Sequence, residues 1–119
     1  MLTENQIYKK ITIVIVLYNS TDLVLECFKS IKNFRIIIVD NGKNEKILKK
    51  IENDFSIEKI IISKKNVGFG KGVNSAIDYI KTDFFLMLDA DSSIDKKSII
   101  DLHKTSIEYN SVASAPWIE

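Results

Sequence analysis

"ITIVIVLYN", residues 11–19, is apolar or β-branched up to Leu17 and has no helical period. β-Branched side chains are stiff at χ1 and pack well on a pleated surface. A run that stays apolar instead of alternating describes a strand covered on both faces. Such a strand needs helices above and below it, so this one stretch predicts a parallel sheet. The flanking sequence agrees. "STDLVLECFKSIKN", 20–33, predicts a helix with Ser20 or Thr21 as its cap. "RIIIVDNG", 35–42, is a second buried strand running into an Asp-Asn-Gly turn. "NEKILKKIENDF", 44–55, is a more exposed helix, and "IEKIIIS", 57–63, a third strand. A third helix is expected from Gly70 to Lys81, then a fourth strand, "DFFLMLDAD", with Phe84, Phe85 and Met87 in the core. Residues 94–109 predict a fourth helix with Asp95 near its start, and "SVASAPW", 111–117, a fifth strand. Strict alternation of strand and helix implies an α/β, Rossmann-like, mostly parallel sheet with helices on both faces and right-handed crossovers. Residues 1–119 read as one domain, without repeats or a Pro/Gly linker.

Lys and Arg total 17 against 16 acids, a net charge of +1 that argues against nucleic-acid binding through bulk charge. One cysteine, Cys27, excludes an intrachain disulfide framework and points to a cytoplasmic protein. Cys27 lies among Leu25, Phe28 and Ile31 and reads as a small buried hydrophobe. No apolar run approaches the roughly 20 residues that span a bilayer. Peripheral association at the inner face of a membrane stays compatible with the composition.

Ligands of open parallel sheets sit outside the carboxyl ends of the strands, near a reversal of strand order. Four strand tips therefore carry the chemistry: Tyr18-Asn19, Asp40-Asn41-Gly42, "NVGFGKGVN" (66–74) and Asp89-Ala90-Asp91. All four are polar or glycine-rich after greasy strands. Alternate residues of an extended chain point the same way, so Asp89 and Asp91 can aim at one point. Two close carboxylates repel unless a cation sits with them, and Mg²⁺ or Mn²⁺ suits such oxygen ligands and shares its shell with phosphates. A loop acid and a helix cap remain the plainer reading of that pair. Gly68, Gly70 and Gly72 let backbone approach a ligand before a helix start that favours anions, with Lys71 as a mobile charge. A flexible loop with a helix cap is again the alternative. Asp40 either accepts hydrogen bonds from a base or ribose, or only starts its turn. Tyr18 and Asn19 either hold a base or end the first strand. His103 reads as a half-buried structural histidine.

"IVIVLYNS", "IIIVDNG", "NVGFGKGVNSAI" and "FFLMLDADS", in that order and spacing, resemble the family 2 glycosyltransferases of the GT-A fold. The resemblance runs from about Ile11 to Pro116 and is nearest to transferases of the rhamnosyltransferase type that build bacterial surface polysaccharides. It implies a uridine or deoxythymidine diphosphate sugar as donor and a glycan as acceptor. Tyr18 and Asn19 would line the nucleotide pocket, Asp40 would hydrogen-bond the pyrimidine ring, Gly68 and Lys71 would lie in the loop near the nucleotide, and Asn41 would belong to the same nucleotide-sugar site. Asp89 would sit nearer the ribose and Asp91 on the metal and diphosphate, as the family's DxD pair. Lys43 stands where the family often has serine. The family's acceptor half and its general base lie downstream of this region, so the catalytic base is expected beyond Glu119, the last residue of the sequence. Asp95, Asp101 and Glu108 are poor substitutes for it. The resemblance therefore implies a truncated, donor-binding half-domain that lacks a catalytic base. An apolar face around Val112 to Ile118 is then expected to drive homo-oligomerisation. The rivals are a non-catalytic nucleotide-binding or receiver-like regulatory module, and a dinucleotide enzyme. Tyr18-Asn19 and Ser63-Lys64 lack the acids of a receiver, and "YNSTD" lacks the glycines of a dinucleotide fold.

Overall fold

The computed structural model describes residues 2–90 and 96–108. The unbroken apolar run forms β1, Ile11–Leu17, and all seven of its residues are buried. The other strands are β2 (Arg35–Asp40), β3 (Lys59–Ile62) and β4 (Phe84–Asp89). All are parallel, in the order β3-β2-β1-β4. The helices are α1 (Glu4–Tyr8), α2 (Val24–Ile31), α3 (Glu45–Asp54), α4 (Gly68–Ala76) and α5 (Lys96–Glu108), with a 3₁₀ turn at Ile77–Tyr79.

Strand order explains the layers. The chain steps in one direction from β1 to β2 to β3, so right-handed crossovers put α2 and α3 on one face. It then crosses back to β4 on the far side of β1, and the same handedness puts α4 on the other face. The first face is the thicker one. There α1, α2, α3 and α5 bury a core built on Ile13, Ile15, Ile36 and Ile38. On the second face Val73 and Ala76 of α4 pack over Val14, Val16, Ile37 and Val39.

Several expectations are corrected. The cap expected at Ser20 or Thr21 is absent: α2 starts at Val24 with no side-chain cap, after a turn closed by Val24 N–H on the Thr21 carbonyl. The third helix starts at Gly68, two residues early, and tightens into the 3₁₀ turn instead of running to Lys81. Gly70 and Gly72 thus lie inside a helix, not in a loop. Phe85 and Met87 are 43% and 54% exposed, not core. They share the face of Thr12 and Val14, where α4 packs over β1 and β2. His103 is buried, not half-buried. Cys27 is buried as expected. The helix α1 was not read from the sequence, although Thr3 and Gln6 form a full capping box at its start. The expected fifth strand, Asp91, Asp95 and the apolar stretch from Val112 to Ile118 lie outside the described residues. So does Glu119, the position beyond which the general base is expected, and no described residue bears on that expectation. Among the described residues no helix is long and apolar enough to cross a membrane.

Candidate functional site

The reversal of strand order falls between β1 and β4, and a cleft of about 780 Å³ opens at their carboxyl ends. Tyr18, Asn19, Asn41, Gly68 and Asp89 line it together. Five of the residues expected from sequence are thus gathered at one place. Asp40 and Lys71 are not part of its wall, and Asp91 is outside the described residues.

Asp40 is absent from the wall because of strand alternation. It pairs with Leu17 and points to the thick face, whereas the next residue, Asn41, turns toward the α4 side. Asp40 is buried, and its Oδ1 accepts the Gly42 N–H at 2.8 Å and the Asn44 Nδ2 at 2.6 Å. The turn it organises is sharp. Gly42 sits at φ 123°, which glycine adopts without a Cβ penalty, and Lys43 at φ 60°, which costs a lysine strain. Asn41 N–H donates to the Leu17 carbonyl at 2.8 Å and Asn19 N–H to the Gly42 carbonyl at 3.0 Å, so the tips of β1 and β2 hold each other.

Asn41 is 2% exposed. Its Nδ2 donates to the Gly68 carbonyl at 3.1 Å, and its Oδ1 has no partner among the described residues. A flipped amide would set oxygen against oxygen at Gly68, so the orientation is fixed. A buried acceptor left open is expensive, and this one belongs to the cleft wall. Helix α4 reaches Asn41 because Gly72 has no side chain: a Cβ there would lie 3.2 Å from both Val16 methyls. Gly68, at φ 83° and with its N–H on Asn66 Oδ1, turns the chain into α4.

On the opposite wall Asp89 pairs with Val16, so it points to the α4 side, exposed at the tip of β4. Tyr18 is 46% exposed, with the Lys43 ammonium 5.7 Å from its ring centre. Cys27 borders the cleft, but burial pushes its thiol pKa up, which opposes any nucleophilic role. No group of three or more His, Cys, Asp or Glu side chains that could cage a metal occurs among the described residues. Mg²⁺ ordinarily takes only one or two carboxylates and completes its shell with phosphates and water. An exposed Asp89 two residues before Asp91 fits that donor set. Two residues escaped the sequence reading. One is Asn44, fully buried behind the wall. The other is Phe69 at the start of α4, 41% exposed in the cleft.

Comparison with known proteins places this geometry. The model of "Glycosyl transferase family 2" matches residues 12–118. A poly(ribitol-phosphate) beta-glucosyltransferase of Bacillus spizizenii is 34% identical over 116 residues, covering 86% of this chain and 18% of that protein. A teichoic acid poly(glycerol phosphate) polymerase of Staphylococcus epidermidis is 29% identical, covering 71% of this chain and 13% of its own length. The chain thus spans less than a fifth of these curated relatives. Among solved structures, S. aureus TarS 1-349 superposes with a TM-score of 0.71 at 22% identity, covering 92% of this chain and 38% of that one. The UDP complex of the same fragment gives 0.70 at 22% identity, covering 91% and 38%. The structural likeness establishes the fold, the GT-A type of parallel sheet with helices on both faces, and the sequence match over residues 12–118 establishes the kinship: the chain belongs to glycosyl transferase family 2.

Proposed function

We propose that this chain binds the nucleotide-sugar donor of a glycosyltransferase, a uridine or deoxythymidine diphosphate sugar, in the cleft between β1 and β4. The observation that carries the reading is the gathering of Tyr18, Asn19, Asn41, Gly68 and Asp89, from separate strand tips, around one cleft. Asn41 Oδ1, buried and without a partner among the described residues, is the acceptor this reading assigns to the imide N–H of uracil or thymine. Tyr18 offers an exposed ring beside it for stacking. Asp40 supports the base pocket from behind, through its turn. Asp89 and Asp91 would hold Mg²⁺ or Mn²⁺, which would neutralise charge on the departing nucleoside diphosphate.

The related proteins support this direction. TarS 1-349 has been crystallised with UDP, and two curated relatives are named for work on poly(ribitol phosphate) and teichoic acid. The proposed pathway is accordingly bacterial surface-polymer synthesis, with a surface glycan or polyol-phosphate chain as acceptor. Family membership leaves the receiver-like and dinucleotide alternatives without support.

Thermal denaturation with UDP, dTDP and CDP, each with and without Mn²⁺, tests the reading. UDP or dTDP at 100 times its Kd stabilises by about 2.7 kcal/mol. The expected pattern is a shift with UDP or dTDP that depends on Mn²⁺, and a much smaller one with CDP, whose ring N3 is an acceptor. No shift with any of the three refutes the proposal.

A further inference from the structure

We infer that Asn44 is a positioning residue for the cleft, one whose carboxamide sets where Tyr18, Asn19 and Asn41 stand; the inference rests on the nucleotide-binding reading above. Asn44 precedes α3, where asparagine ordinarily caps the helix with its side chain. Here it makes no such cap. The side chain turns back under the sheet tips and is fully buried, an unusual place for asparagine. Its Nδ2 donates to the Leu17 carbonyl at 3.0 Å and to Asp40 Oδ1 at 2.6 Å. Its Oδ1 accepts the Ser20 N–H at 2.9 Å.

Those bonds grip both ends of residues 17–20, whose two central members are Tyr18 and Asn19. Asn19 stands there at φ 48°, in the left-handed region where asparagine is enriched. The third bond fixes Asp40, the residue that carries Asn41. One side chain therefore registers all three wall residues without touching the cleft. The task needs two donors and an acceptor on one short planar group, which a carboxamide supplies. A carboxylate at this position would lack the donors and face Asp40 at hydrogen-bond distance. Two carboxylates so placed repel until one proton is shared between them, and that proton restores the bridge to Asp40, though not the donation to the Leu17 carbonyl.

Asn44→Asp is thus a pH-readable probe. The Kd for UDP with Mn²⁺ is measured by calorimetry for the wild-type chain and the variant at about pH 8 and about pH 5, and the ratio of the two is taken at each pH, which cancels the ligand's own titration. The expected ratio is about tenfold or more at the higher pH, shrinking several-fold at the lower. A ratio near one at both pH values overturns the inference, and so does a large ratio that does not move with pH. A wild-type chain that fails to bind UDP removes the nucleotide reading itself, and this inference with it. If Asn44→Asp does not fold, Asn44→Ser and Asn44→Ala replace it. Serine keeps one donor and is expected to recover part of the affinity that alanine loses; equal losses overturn the inference.

Discussion

Asp40 and Asp89 look alike in sequence, each an acid ending a greasy parallel strand, yet the fold uses them differently. Asp40 is buried, with one oxygen holding two donors of its own turn. Asp89 is exposed in the cleft. The difference is set by strand register. Asp40 falls opposite Leu17 and points into the thick face, while Asp89 falls opposite Val16 and points to the α4 side. An acid at a strand tip is therefore neither structural nor functional by type. One step along the strand decides which neighbours it meets.

The contrast can be broken by substitution. Asp40→Ala leaves the Gly42 N–H and the Asn44 Nδ2 without their acceptor in the interior, a loss of about 2–4 kcal/mol in urea denaturation. A loss below about 0.5 kcal/mol would mean that Asp40 is not structural. Asp89→Ala should do the reverse. Stability changes by about 1 kcal/mol or less, while UDP affinity measured by calorimetry with Mn²⁺ falls about tenfold or more. Equal affinity in the two proteins contradicts the role given to Asp89.

Gly72→Ala sharpens the comparison from the α4 side. Its Cβ would lie 3.2 Å from both Val16 methyls, so Val16 or α4 has to give by a few tenths of an ångström, and where α4 is the one that moves a destabilisation of about 1–2 kcal/mol is expected. The same movement draws the Gly68 carbonyl from Asn41, so a loss of UDP affinity should accompany it. The smallest effect lies on the thick face. His103 packs edge-on against Phe84, with both ring nitrogens lacking partners among the described residues. Burial, and secondarily the charge of Lys10, hold its pKa below the ordinary 6.5. Above about pH 7.5 the ring is neutral in both folded and unfolded chains and no stability is lost. Below 6.5 the unfolded chain takes up a proton that the folded chain refuses, so stability falls until the lowered folded value is reached. His103→Leu should flatten that part of the pH–stability curve; an unchanged slope would assign it to other groups.

How much of this was legible in the sequence follows from where each signal lives. β1 and β2 were readable because nearly every position is buried, so an unbroken apolar run carries the meaning it has in a parallel sheet. β4 has the same kind of sequence, and a continuous run does not reveal that Phe85 and Met87 are exposed. The cleft was legible as a set of strand tips, because alternation of strand and helix fixes which ends converge. The division of labour between Asp40 and Asn41 was not, since it depends on pairing with a strand more than twenty residues away. Asn44 was invisible for the same reason: two of its partners, Leu17 and Ser20, are far off in the chain. Gly70 and Gly72 have a spacing that suits a ligand loop, yet both lie inside α4, where Gly72 answers to the methyls of Val16. The capping box of Thr3 and Gln6 was present in the sequence and simply went unread.

The central claim is that a pyrimidine diphosphate occupies the cleft between β1 and β4, with its base against Asn41. Titrating UDP with Mg²⁺ into the ¹⁵N-labelled chain and following backbone amides by NMR tests it directly. The largest shifts are expected at Tyr18, Asn41, Gly68 and Asp89, with little change at Lys9 and Lys10 at the opposite end of the sheet. Shifts confined to that opposite end, or a spectrum that does not move at millimolar UDP, would contradict it.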